Sequence, residues 1–115
     1  MPWTLDSLER SLRIALMERT RLRIKELPVS RSAEVEWVEP HGRARVNVDS
    51  HEVTIRAGTL HELLHVVLGQ DLEKFDETLT EAIILAFEQE IDQRISRSPR
   101  RKSWWRKAIA SKLPK

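Results

Sequence analysis

Val53, Ala57, Leu60, Leu64 and Val67/Leu68 recur at three- and four-residue spacing and form one unbroken helical stripe. A helix over about residues 51–69 must bury that stripe, with Asp49 or Ser50 as its cap. Gly58 and two β-branched residues oppose this reading. The alternatives are a strand over Glu52–Arg56, which also alternates, or a helix starting at Thr59 with Thr59 and Glu62 as a capping box. Either helix carries His61 and His65, four residues apart and so on one face, one turn from each other. Both imidazoles then reach a single Zn²⁺ at about 2.0–2.1 Å. Glu62 follows the first histidine and sits beside such a metal rather than on it. There it takes a proton from the attacking water and passes it to a leaving group.

No cysteine is present among the 115 residues, so any metal is held by His, Asp or Glu. The length suits one domain with one modest core. Hydrophobic residues make up 40% and charged residues 33%, the balance of a globular rather than a disordered chain. No apolar run approaches the roughly 20 residues of a membrane span. The N-terminus lacks a charged stretch followed by an apolar block, so no secretory signal is expected. A reducing cytoplasm is the expected compartment.

The periodicity predicts an α+β chain. Leu5, Leu8, Leu12 and Ala15/Leu16 mark a helix over about 5–19, capped by Thr4. Residues 21–26, 34–39 and 43–48 alternate and read as three short antiparallel strands, the last two joined by the turn Pro40-His41-Gly42. After the helix with the two histidines comes a connector, then a helix capped by Asp76, with apolar positions Leu79, Ile83, Ala86/Phe87 and Ile91, ending near Ile95. Residues 96–102 read as a polar linker. Ser103 is then the cap of a short final helix with Trp105, Ala108, Ile109 and Leu113 on one side. The expected division is a metal-binding domain over 1–95 and a basic tail over 96–115.

A catalytic zinc takes three protein ligands and leaves one position open. No histidine follows His65. Glu77 and Glu81, one turn apart at the start of the next helix, return to the metal if the two helices form a hairpin. Either carboxylate ligates and the other orients an imidazole. Glu81 is preferred as ligand because it lies deeper in its helix.

The stretch Thr59-Leu60-His61-Glu62-Leu63-Leu64-His65, followed by Phe75-Asp76-Glu77-Thr78-Leu79-Thr80-Glu81-Ala82, resembles the glutamate-liganded zincins, or gluzincins. It is most similar to small metallopeptidases of bacteria and phages, and more distantly to the ImmA/IrrE peptidase domain. The resemblance covers about residues 43–95. It implies Glu81, just ahead of the small Ala82, as third ligand, and an order of helix, small sheet, motif helix and ligand helix. It also implies zinc-dependent hydrolysis of a peptide or protein, with Glu62 as general base. One departure is the absence of tyrosine, a common oxyanion stabiliser in such enzymes. His41 or His51 is the candidate replacement, beside the plainer reading of each as a surface histidine.

Residues 94–115 carry nine Lys or Arg and no acid, although the whole chain is only +2. Arg100, Arg101, Lys102, Trp104, Trp105, Arg106 and Lys107 suit nucleic acid, through phosphate contacts and stacking, or an anionic membrane surface. Trp105 and Ile109 equally suit folding back onto the domain or docking a protein partner. Three functions follow. One is a zinc metallohydrolase, with Glu62 as evidence. The second is a non-catalytic, zinc-stabilised binding or assembly module with a basic tail, which the missing tyrosine favours. The third is a nucleic-acid-associated accessory protein acting through residues 97–112.

Overall fold

The computed structural model describes residues 3–18 and 55–112 with their side chains, and the backbone alone of 22–26, 32–37, 42–47 and 51–54. Helix α1 (Leu5–Glu18) starts at a reciprocal cap: the Ser7 amide donates to Thr4 Oγ1 and the Thr4 amide to Ser7 Oγ, each at 3.0 Å. Its stripe of Leu8, Leu12, Ala15 and Leu16 is buried. Strands β1 (Leu22–Glu26), β2 (Ser32–Trp37) and β3 (Gly42–Asn47) follow as an antiparallel meander in that order. Ile24 pairs with Val35, and Val35 with Ala44.

Helix α2 (His51–Leu72) is 22 residues long and runs through Gly58 without a break. The alternative start at Thr59 is excluded, because Thr59 Oγ1 donates back to the Ile55 carbonyl at 2.8 Å, the bond of a residue inside a helix. The strand alternative for Glu52–Arg56 falls with it. Leu60, Leu63, Leu64 and Leu68 are fully buried. A tight turn, with the Phe75 amide donating to the Leu72 carbonyl at 3.0 Å, leads to Asp76. Asp76 caps helix α3 (Glu77–Ser96) by accepting from the Leu79 amide at 2.8 Å. Helix α4 (Pro99–Lys112) begins earlier than expected. Ser98, not Ser103, caps it, accepting from the Arg101 amide at 3.3 Å, and Pro99 takes the first helical position, where its fixed φ fits.

The expected α+β class is corrected. Among residues whose side chains are described, 89% are helical and none lies in a strand. Every buried apolar residue of the described core sits on one of the four helices. This described core is helix on helix, and the sheet lies against α2, chiefly through β3. The stripe expected on α3 is also corrected. Ile84, Ile91 and Ile95 are buried, Ile83 and Phe87 pack at the margin, and Leu79 faces solvent.

The segment expected as a tail packs into this same core through Trp105, Ala108 and Ile109. Trp105 is fully buried, and its indole Nε1 donates to Glu9 Oε2 at 3.3 Å. Glu9, a charged residue only 4% exposed, also accepts from Arg13 at 2.8 Å, and from Arg94 and Arg101 at 3.0 Å each. Arg94 reaches Asp6 as well. On the other side of α3, the buried Arg56 of α2 donates to Asp92 at 2.7 Å and to Ser96 at 2.8 Å. Among the described residues no helix is long and apolar enough to cross a membrane.

Burial pushes the Glu9 carboxyl toward a higher pKa, but the donors Arg13, Trp105 and Arg94 outweigh it and hold the group below the ordinary carboxylate value. A lowered folded value means that the stabilisation is complete above the unfolded pKa and is lost as pH falls through the folded one. Glu9→Gln is therefore expected to cost about 3 kcal/mol near neutral pH. The gap between wild type and Glu9→Gln in thermal melts should narrow steadily below about pH 4. A gap independent of pH would show that the charge is not what Glu9 contributes.

Candidate metal centre

α2 and α3 form an antiparallel pair, and their facing sides bring three sequence-distant groups together. Ligand atoms of His61, His65 and Glu81 all lie within 4.8 Å of one another. His65 Nε2 is 2.7 Å from Glu81 Oε1, and His61 Nε2 is 3.3 Å from Glu81 Oε2. One carboxylate thus spans both imidazoles, whose ring centroids are 5.0 Å apart. Donors at about 2.0–2.2 Å from a tetrahedral zinc are separated by about 3.3 Å, so small side-chain adjustments suffice to seat an ion among these atoms. Two imidazoles and one carboxylate are the donor set of a hydrolytic zinc, with a fourth position left for water or substrate.

The sequence did not bring out Glu88. Its Oε1 lies 2.8 Å from His61 Nδ1, where it accepts the ring proton. That bond fixes the tautomer and turns Nε2 of His61 toward Glu81. The hydrogen bond to Glu88 raises the pKa of His61; burial opposes this, and the charges of Glu81, Glu88 and Glu62 add to the rise. A signal for Glu88 was present: it follows Glu81 by seven residues, two turns along the same face. The orienting role assigned to Glu77 or Glu81 therefore belongs to Glu88. Glu77 lies exposed in the first turn of α3, outside the cluster, where its charge complements the helix N-terminus.

Glu62 is buried, 7% exposed, and close enough to His61 for its charge to act on that ring. His65 and Glu81 are the open side of the centre, with side chains 37% and 43% exposed. Leu85, between Glu81 and Glu88 on α3, is also exposed. His41 lies outside the described residues, and His51 is described by its backbone alone, so neither enters the site's geometry. No family model, curated protein or solved structure matches the chain.

The ligand geometry orders the effects of substitution. His61→Ala, His65→Ala and Glu81→Ala should each remove stoichiometric zinc, read by elemental analysis of the purified chain. Glu88→Gln should weaken zinc by about 10–100-fold, the usual loss when an orienting carboxylate goes. Glu77→Ala should leave it unchanged. Equal losses for Glu77 and Glu81 variants would dismantle the assignment.

Proposed function

We propose that this protein is a zinc-dependent hydrolase that cleaves a peptide bond, with His61, His65 and Glu81 as ligands and Glu62 as general base. The observation that carries the reading is the convergence of His61 Nε2, His65 Nε2 and the Glu81 carboxylate, with His61 oriented from behind by Glu88. Zinc bound there supplies Lewis acidity to a substrate carbonyl and makes a water molecule easier to deprotonate.

Each residue then has a distinct task. Glu88 holds the proton on Nδ1 of His61 and keeps Nε2 available. Glu81 closes the ligand set from the opposite helix. The Glu62 carboxylate takes the proton of the attacking water and returns it to the departing amine nitrogen. The buried position of Glu62 beside His61, close enough for its charge to act on that ring, supports this role. Exposure at His65 and Glu81 supports access for a substrate chain from the solvent side. The resemblance to gluzincins in the two motif stretches supports the same assignment.

The decisive comparison is wild type against Glu62→Gln in a peptide-library cleavage assay, with zinc content measured in parallel. The amide matches the carboxylate in size and cannot accept the water's proton at neutral pH. Zinc content and fold should persist while turnover drops roughly 10²–10⁴-fold. Unchanged turnover in Glu62→Gln would remove Glu62 from the mechanism. A zinc-loaded wild type that cleaves nothing would leave the centre as a cross-link between α2 and α3.

A further inference from the structure

Over Pro99–Lys112, α4 carries six Lys or Arg residues and no acid. Its two neighbouring tryptophans have different fates. Trp105 is consumed by the core, whereas Trp104 is only partly buried, with the two ring planes at 80°. The Arg13 guanidinium of α1 lies 4.4 Å from the Trp104 ring centroid. Pro99, Arg100, Ser103, Trp104 and Lys107 line an open groove of about 510 Å³. Arg100 and Lys107 stand one turn before and one turn after Trp104 on the same side of the helix, and both are exposed.

We propose that this groove binds single-stranded nucleic acid, with a base stacked on Trp104 and the adjoining phosphates held by Arg100 and Lys107. An indole flanked by cations, with no carboxylate on its helix, is the recurring platform for an unpaired base and its backbone. Arg13 adds to the positive field at the ring without belonging to the groove's lining. The Ser103 hydroxyl supplies a neutral donor between the two cations. A membrane surface is the poorer match. An interfacial helix lays a whole apolar face among the lipids, and here Trp105, Ala108 and Ile109 are already inside the protein. What remains outside on α4 is one indole, one proline and Ala110, too little apolar surface to anchor a helix. The groove is independent of the metal centre, since none of its residues lies on α2 or α3.

The test is fluorescence anisotropy of labelled oligo(dT) and oligo(rU) with the full chain across a salt series. Flotation with phosphatidylserine–phosphatidylcholine vesicles runs alongside. Wild type should bind the oligonucleotides, with affinity falling as salt rises, and stacking should quench tryptophan emission. Trp104→Ala should weaken binding about tenfold or more, and Trp104→Phe should retain most of it, because a ring remains. The double reversal Arg100→Glu with Lys107→Glu changes exposed positions only, which keeps the idea testable if Trp104→Ala fails to fold. It should weaken binding and reduce the log–log salt slope by about 1.4, two contacts at about 0.7 each. Absence of oligonucleotide binding at low salt overturns the proposal. So does undiminished binding by the double reversal. Capture by vesicles with no oligonucleotide binding would assign the groove to lipid instead.

Discussion

The carboxylate of Glu9 receives hydrogen bonds from its own helix through Arg13, from α3 through Arg94, and from α4 through Arg101 and Trp105. A charge this deeply buried is tolerable only because every oxygen is occupied. Hydrophobic burial brings the helices together without direction, whereas this carboxylate sets their rotation. Arg94 fixes one side of the last turns of α3, and Asp92 and Ser96, gripped by Arg56, fix the opposite side. With its last turns held on two sides, α3 presents Glu81 and Glu88 to the histidines of α2 further toward its N-terminus. The cluster of His61, His65 and Glu81 thus depends on an ion cluster toward the other end of the same helix.

What the sequence made legible follows from which forces are local. The four helices, the caps at Thr4 and Asp76, and the pairing of His61 with His65 all depend on residues within two turns of each other. Glu81 was within reach because a short connector forces the next helix back along the last. Glu88 was not, because a glutamate on a half-buried face reads as a surface residue until its imidazole partner is seen across the helix pair. Glu9 misleads for the same reason: its donors Arg94, Arg101 and Trp105 are remote in sequence. The three alternating segments are strands of one antiparallel meander, while the described core is formed by the stripes of the four helices. The basic segment over 96–115 looked like a tail because cations dominate its composition. Three residues, Trp105, Ala108 and Ile109, are enough to fold it into the body.

The distribution of charge now has a spatial meaning. Of the acids that surround the histidines, Glu62 lies on α2 and Glu81 and Glu88 lie on α3, while six cations lie on α4. The two surfaces are built from different residues on different helices.

His61, His65, Glu81 and Glu88 all lie on a single helical hairpin, joined by the turn that ends at the Asp76 cap. The covalent ring from His65 through that turn to Glu81 is small, so closing it costs little loop entropy, and the capped turn has already removed much of that freedom. These contacts span far fewer residues than the cluster around Glu9, whose donors Arg94, Arg101 and Trp105 lie 85, 92 and 96 positions away. The hairpin thus gathers four side chains within one short loop closure, without calling on any remote segment of the chain.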